Sequence, residues 1–340
     1  MRSILVTGGA GFIGSHTVVE LAKAGYRPII VDDFSNSEHF VIERLEKIIG
    51  QPVVCYEQDF RDINRLSKVV TNESVAGIIH FAANIYVEES VKEPLKYYDN
   101  NVVGLIELLK YCEAADIENF VFSSSCTVYG EPDKLPVSEE TPFKPANSPY
   151  GTTKQMGEYV LRDATRVSKK YNSLSLRYFN PMGAHESALI GELPRGIPSH
   201  LIPYVTQVAA GIREKLMVYG NDYPTTDGTC IRDYIHVVDL AKAHVKALSY
   251  LEEKPVAFHD FINVGTGTGT SVLQVIKTFE EATGQKLAYE IGPRRAGDLV
   301  STYAAVDKAT KELDWKTEKN LADGLIDAWR WQQSLENKDR

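Results

Sequence analysis

The sequence predicts a doubly wound α/β fold, one parallel sheet with helices on both faces, accompanied by a smaller mixed α/β substrate domain. Three observations carry this expectation. The first half of the chain alternates short apolar, β-branched runs with helix-length amphipathic segments, the pattern of parallel strands joined by crossover helices. The first run, ILVT, leads at once into the glycine cluster GGAGFIG. The second, PIIVD, ends on an acidic pair, Asp32 and Asp33.

Taken in order, strands are expected at 4–7 (ILVT), 28–32 (PIIVD), 53–59 (VVCYEQD), 77–82 (GIIHFA), 119–124 (NFVFSS) and 173–178 (SLSLRY). Helices are expected between them near 12–24, 38–49, 62–72, 95–115 and 149–171. From Pro181 to Asp233 the pattern dissolves into Pro/Gly/Asn-rich stretches such as GELPRGIPSH and GNDYPTTDG. Further helices follow around 198–210, 237–251, 271–283 and 320–334. The expected domains are 1–180, to which 237–264 returns a helix and the strand FINV, and 181–340.

With 340 residues, 43% hydrophobic and 24% charged, the chain has the composition of a soluble globular protein. A formal charge of -9 and the lack of any Lys/Arg run longer than two argue against a nucleic-acid partner, but not against a small anionic ligand. Cys55, Cys112, Cys126 and Cys230 are far apart, with no C-x-x-C. Neither a metal site nor a disulfide framework is therefore expected, and a reduced, cytoplasmic protein fits. Apolar runs are too short for a signal-peptide core or a membrane span, so no membrane association is expected.

In GGAGFIG, Gly9, Gly11 and Gly14 satisfy G-x-G-x-x-G, while Gly8, Gly11 and Gly14 satisfy G-x-x-G-x-x-G. Glycines there permit the tight turn and let backbone N–H groups approach a pyrophosphate at a helix N-terminus. Asp32, closing the second strand, is placed to accept from the ribose 2′- and 3′-hydroxyls. With Asp33 it would repel a 2′-phosphate, and Ser35 and Asn36 follow instead of an arginine. A Rossmann-like domain binding NAD rather than NADP is the expectation. Asp59 is placed either to meet the adenine amine or to cap the helix before Ile63. The second glycine cluster, NVGTGTGTS at 263–271, lacks a following lysine, and its Thr270 or Ser271 is expected simply to cap the next helix.

The stretch SPYGTTK puts Tyr150 and Lys154 one turn apart on a helix face. A phenol with a pKa of about 10 is ionised in roughly one molecule in a thousand at neutral pH, and a nearby ammonium raises that fraction. The chain holds a comparison pair, Tyr250 and Lys254 in SYLEEKP, which Pro255 and the acidic neighbours mark as surface. Around Tyr150 the surroundings differ: Ser123 to Ser125 end the fifth strand at the carboxyl edge of the sheet, where open α/β folds place ligands. Serine, tyrosine and lysine converging there would form a proton relay for hydride chemistry at a carbinol carbon.

These residues resemble the extended short-chain dehydrogenase/reductase superfamily and, within it, the UDP-glucose (UDP-galactose) 4-epimerases. The likeness runs through ILVTGGAGFIGSHT, DDFSNS, HFAANIYVEESV, YYDNNVVG, FSSSCTVYGEP, SPYGTTK, LRYFNPMGAH, GNDYPTTDGTCIRDYIHV, PRRAGD and DAWRWQ. It implies an isomerase that interconverts UDP-glucose and UDP-galactose by transient oxidation at C4 with bound NAD, acting as a homodimer. It implies Tyr150 as the catalytic base, Ser125 as the hydroxyl on the sugar 4-OH, and Lys154 as the holder of the nicotinamide ribose that lowers the tyrosine pKa. The cofactor contacts it implies begin with Gly8, Gly11, Phe12, Ile13, Gly14, Asp32, Asn36 and Ser37. They continue through Asp59, Phe60, Phe81, Ala82, Ala83, Asn100, Ser123 and Tyr178. On the substrate side it implies Asn180 at the diphosphate, Arg232, Arg295 and Asp298 at phosphates and uridine, and Met217 to Tyr219 at uracil, with Tyr234 beside them. Thr302 takes the position where a bulky tyrosine excludes an N-acetyl group, so UDP-N-acetylhexosamines are expected as further substrates.

Two positions depart from the family pattern. Ile85 stands where a lysine usually contacts the cofactor, which is expected to loosen NAD. Ser199 and His200 replace paired asparagines, leaving His200 either as a substitute donor to the diphosphate or as a surface histidine. The alternatives are a nucleotide-sugar 4,6-dehydratase, a reductase or a non-catalytic NAD-binding sensor. A dehydratase would carry Asp-Glu after the serines, where this chain has Cys126 and Thr127. A sensor typically lacks the tyrosine or the lysine, and a reductase would turn over added NADPH.

Overall fold

Apolar runs without polar alternation are stable as strands only when both faces are covered, and the computed structural model, describing residues 1–295 and 297–336, shows how that cover is built. The strands are β1 (Ser3–Thr7), β2 (Arg27–Asp32), β3 (Val54–Glu57), β4 (Val75–His80), β5 (Asn119–Ser125), β6 (Asn172–Tyr178) and β7 (Asn180–Met182). They continue with β8 (Leu216–Tyr219), β9 (Ile231–Arg232), β10 (Tyr234–His236), β11 (His259–Val264), β12 (Thr270–Ser271), β13 (Tyr289–Gly292) and β14 (Ser301–Thr302). The helices are α1 (Phe12–Lys23), α2 (Phe40–Ile49), α3 (Ile63–Glu73), α4 (Val87–Lys92), α5 (Pro94–Tyr98) and α6 (Gly104–Ala115). The rest are α7 (Pro149–Val167), α8 (Leu201–Ala209), α9 (Val237–Glu252), α10 (Val272–Thr283), α11 (Asp307–Leu313) and α12 (Leu321–Glu336).

One seven-stranded parallel sheet runs in the order β11-β6-β5-β4-β1-β2-β3. Successive side chains alternate faces. Ile4 and Val6 therefore join the core under α1 and α9, while Leu5, Ile29, Ile78 and Phe120 join the core under α3 and α6. The chain leaves β1 toward β2 on one side and β4 on the other, and this reversal opens a crevice at the carboxyl ends of the strands. Helix α9 packs on α1, and β11 pairs with β6 from His259↔Ser173 to Val264↔Tyr178. A separate core joins α8, α10 and α12 around Ile202, Phe279 and Leu325.

The elements differ from expectation in instructive places. The helix expected at 95–115 is interrupted by a π-helical turn at Asp99–Val103. The strand expected at 53–59 ends at Glu57, and the helix expected at 149–171 ends at Val167 because Ser168 is extended (φ -64°, ψ 145°). Helices α4 and α11 were not expected, nor were the two- to four-residue strands after β6. Tyr250, read as surface, is buried: its hydroxyl donates to Glu312 at 3.2 Å, and Lys254 Nζ lies 3.8 Å from its ring centroid. Ala296 within PRRAGD and residues 337–340 of the second expected domain lie outside the described residues.

The charged pair Arg177 and Glu158, 3% and 4% exposed, ties β6 to α7. Arg177 Nη2 and Nε donate to the Glu158 carboxylate at 2.6 and 2.9 Å, and its Nη1 donates to the Tyr129 hydroxyl at 2.9 Å. The guanidinium lies 3.8 Å from the Phe261 ring centroid, and Ser124 Oγ donates to Glu158 from β5. Removing one partner strands a charge without water. Glu158→Ala is expected to lower unfolding free energy by about 3–5 kcal/mol in urea titrations. A loss below about 1 kcal/mol, the scale of an exposed pair, would show that the pair is not what holds α7 to the sheet.

Candidate active site

The turn between β1 and α1 admits only glycine at its tightest points. Gly8 has φ +71°, and a Cβ there would lie 2.8 Å from Ala82 N. A Cβ on Gly14 would lie 2.2 Å from Gly8 O. No side chain caps α1 at Gly11 and no acidic residue sits in its first turn. The helix thus presents unshielded N–H groups to the crevice, as an anion requires. Gly8, Gly11, Phe12, Ile13 and Gly14 all line this cleft.

Asp32 stands at the opposite bank, 7% exposed. Its Oδ2 accepts from Ala10 N at 2.9 Å, and its Oδ1 accepts from Phe34 N at 2.9 Å and Ser37 Oγ at 2.8 Å. A carboxylate has about four acceptor positions, so these three donors leave at least one for a ligand hydroxyl. Burial raises the Asp32 pKa, and the Ser37 hydroxyl and two backbone donors oppose it. Asn36, Ser37, Phe60, Phe81, Ala82 and Ala83 line the same cleft, as do Asn100, Ser123 and Tyr178. Asp59 does not line it, nor does it cap α3. Its carboxylate is held by Arg61 Nη2 at 2.7 Å, while Gln58 lines the cleft and Asp62 caps α3 by accepting from Arg65 N at 3.1 Å.

Ser148 opens α7 by accepting from Gly151 N at 3.2 Å, and Pro149 occupies the first turn. Tyr150 and Lys154 consequently project from one face to the cleft wall. Lys154 Nζ donates to Ser123 O at 2.7 Å and lies 5.8 Å from the Tyr150 ring centroid. The Ser123 and Tyr178 hydroxyls share a short hydrogen bond. Ser125 accepts from Thr127 N at 3.2 Å. Burial, reinforced by Tyr178, pushes the Tyr150 phenol above its ordinary pKa, and the Ser125 hydroxyl offsets part of the rise. Burial also pushes Lys154 down to about 8, with Glu158 opposing. Any lowering of the tyrosine pKa by the lysine works against this burial.

A second wall lies on the short strands. Arg232 on β9 is in register with Thr302 on β14 and Thr270 on β12. Its Nη2 is 3.6 Å from Asp298, which also receives Arg295 at 2.8 Å, and the Arg295 guanidinium lies 5.8 Å from the Tyr219 ring centroid. Asn180 and Tyr234 face each other across β7 and β10, and Met217 lies on β8. None of these residues lines the cleft at the glycine turn. Arg232 is within electrostatic reach of Cys126, beside Ser125 at the end of β5. Thr302 is 7% exposed.

The second glycine cluster is occupied internally. Thr266 N and Gly267 N donate to the buried Asp233 carboxylate at 2.9 and 3.1 Å, and Ala304 N adds a third contact at 3.1 Å. Ser271 caps α10 through a reciprocal pair with Gln274. His200 and Ile85 both line the cleft. His200 Nδ1 is 2.5 Å from Glu192, whose charge raises the imidazole pKa. Several residues in and around the cleft escaped the sequence reading. Asn101, in the π-turn next to the cleft-lining Asn100, receives Asn84 N at 2.8 Å and donates to Thr153 at 3.2 Å, and only its place in YYDNNVVG signalled it. Glu192, Arg195 and Trp331 also line the cleft, with no local motif to announce them. Among the described residues no His/Cys/Asp/Glu grouping fits a metal ion, and no helix is long and apolar enough to cross a membrane.

Comparison with known proteins agrees with this geometry. The family profile described as GDP-mannose 4,6 dehydratase matches residues 5–327. The UDP-glucose 4-epimerase of Neisseria meningitidis serogroup A is 47% identical over 331 residues, 97% of each chain. The structure of UDP-glucose-4-epimerase from Stenotrophomonas maltophila with bound NAD and formylated UDP-arabinopyranose superimposes with a TM-score of 0.97 at 45% identity, covering 99% of this chain and 100% of that one. The Bifidobacterium longum UDP-glucose 4-epimerase in complex with NAD+ and UDP gives 0.94 at 46% identity, with 99% of each chain covered. Sharing nearly half its residues with these enzymes along almost its whole length, the chain belongs to the UDP-glucose 4-epimerase family.

Proposed function

We propose that the protein interconverts UDP-glucose and UDP-galactose by transient oxidation at C4, with NAD held in the cleft. The observation that carries this reading is the convergence of Tyr150 and Lys154 with Ser123 at the carboxyl edge of the sheet, where Lys154 Nζ is 2.7 Å from Ser123 O. The residues present fit a dinucleotide: a turn that any Cβ would fill, an uncapped helix N-terminus and a carboxylate with an acceptor position left. When bound, NAD supplies a hydride acceptor with a formally positive ring.

In this reading Tyr150 takes the proton of the sugar 4-hydroxyl and later returns it, Ser125 bonds the same oxygen, and Lys154 orients the nicotinamide ribose. Arg232, Arg295 and Asp298 hold the UDP moiety, with Asn180 at the diphosphate and Met217, Tyr219 and Tyr234 near the base. Anchoring through UDP leaves the 4-keto sugar free to turn about its diphosphate link and present its other face. Dehydration would need an acid/base pair after the serines. Instead the Cys126 thiol is pushed up to about 12 by burial, and Thr127 Oγ1 is buried without a partner. These residues favour epimerisation.

The proposal extends to organisation. Residues 1–180 with 237–264 form the NAD-binding part, and the remainder of 181–340 the UDP-sugar part. Val91 on α4, Leu95 on α5 and Met156 and Tyr159 on α7 expose apolar surface that a homodimer would cover. The four cysteines are free thiols, in keeping with a cytoplasmic protein.

Purified protein is expected to convert UDP-galactose to UDP-glucose without added nucleotide, and to release NAD on denaturation. Release of NADP alone would overturn the role given to Asp32. Tyr150→Phe should lower kcat by about 10²- to 10⁴-fold, since it removes the proton acceptor and almost no volume. Tyr250→Phe should leave kcat unchanged and lose about 1 kcal/mol of stability with its bond to Glu312. Equal loss of kcat in both variants would refute the assignment of the base.

Thr302 sets a second expectation. A threonine beside Arg232 leaves room that a tyrosine would fill, so the enzyme should also interconvert UDP-N-acetylglucosamine and UDP-N-acetylgalactosamine. Thr302→Tyr should suppress that pair while sparing UDP-galactose. Wild-type protein inactive on the acetylated sugars but active on UDP-glucose would show that the pocket is closed from elsewhere.

A further inference from the structure

Arg195 lies in the irregular segment before α8 and reaches 160 positions back along the chain. Its Nη1 donates to Ser35 O at 2.5 Å, and its Nη2 donates to Phe34 O at 3.0 Å and Ser37 O at 2.9 Å, with Glu38 at 3.2 Å. The loop it grips is the one built on Asp32. Phe34 there has φ +54°, a backbone conformation that residues with side chains seldom adopt. Its N–H is held by Asp32 on one side and its carbonyl by Arg195 on the other.

The root of the segment is fixed separately. Arg44 Nη1 donates to Leu189 O at 2.7 Å, Trp331 Nε1 donates to Glu192 O at 2.8 Å, and a Cβ on Gly191 would lie 2.5 Å from Trp331. Ser35 to Glu38 line one bank of the cleft, and Leu193 to Arg195 line the other. The Arg195 bonds thus span the opening beside the ribose-facing carboxylate.

We propose that Arg195 is a positioning residue that latches the segment 189–195 over the adenosine half of the cleft and so sets how slowly the cofactor leaves. This rests on the reading of the cleft as the NAD site. An enzyme that restores its oxidised cofactor within every cycle has no need to exchange it, so a latch across the cleft does not limit turnover. Retention also has to come from somewhere other than Ile85, which lines the cleft and carries no charge. The planar fork of arginine suits several carbonyls at once, whereas an ammonium is a single point of donation. The exposed ion pair with Glu38 adds little by itself.

The test is exchange of bound NAD against excess labelled NAD in the purified holoenzyme, read by rapid gel filtration. Arg195→Ala is expected to exchange about 10- to 100-fold faster than wild type, equivalent to about 1.4–2.7 kcal/mol, with Arg195→Lys between them. Melting of the cofactor-stripped chain should be unchanged, and activity lost on dilution should return when NAD is added. Exchange in Arg195→Ala as slow as in wild type overturns the latch. If the alanine variant melts lower, the lysine variant decides by the same rate, since it keeps charge and stem but loses the fork. A wild-type protein that neither carries nor binds NAD overturns the reading of the cleft itself, and the latch with it.

Discussion

The geometry of the reacting centre depends on two charges buried where water cannot reach them. Glu158 lies one helical turn beyond Lys154 and two beyond Tyr150, on the same face of α7. Its carboxylate is met by Arg177 from β6 and Ser124 from β5, so α7 cannot slide or rotate on the sheet without leaving a charge unpaired. One residue before Ser124, the Ser123 carbonyl receives Lys154. The ion pair is in this sense the ruler that sets the distance between strand end and helix. Three aromatic rings, of Tyr129, Phe143 and Phe261, enclose the guanidinium within 5.0 Å and fix it laterally.

A second buried carboxylate explains why two glycine-rich loops in one chain have different fates. Both follow parallel strands, and both offer a row of backbone N–H groups. After β1 those groups face an open cleft. After β11 they face Asp233, an anion supplied by the chain itself. The difference lies 33 positions away from Thr266, beyond the reach of any local motif. The lysine missing after the second cluster was a correct sign, but its physical reason appears only in three dimensions.

The same division between local and distant causes decides what was legible in the sequence. The parallel strands, α1, α7 and the Tyr150–Lys154 face follow from periodicity, caps and glycine spacing. The parallel direction of the strands follows from the β-α alternation, while their order in the sheet does not. The short strands β9, β12 and β14 could not be read, because two residues carry no period. The π-turn at Asp99–Val103 keeps a helical pattern and so hid inside one long helix. Tyr250 misled because its acidic neighbours suggested solvent, while its ring packs against Phe258 with centroids 5.7 Å apart. The capping role offered for Asp59 falls to Asp62, and Arg61, two residues on, holds the Asp59 carboxylate. Arg195 could not be found at all, since three of its four partners are carbonyls, which every residue possesses.

Charge also separates what the fold supplies from what a ligand must bring. Burial favours the neutral forms of both Tyr150 and Lys154. The ammonium is turned to the Ser123 carbonyl and lies 5.8 Å from the phenol ring centroid, so its charge opposes that preference for the phenol. A formal positive charge in the cleft lowers the Tyr150 pKa and populates the tyrosinate, and loss of that charge raises the pKa so that the phenol keeps its proton. In the proposed cycle the first state suits taking the proton of the 4-hydroxyl, and the second suits holding that proton until the carbonyl oxygen takes it back. A tyrosine rather than a carboxylate suits this alternation, because its proton affinity starts high enough to be restored each time the charge is withdrawn.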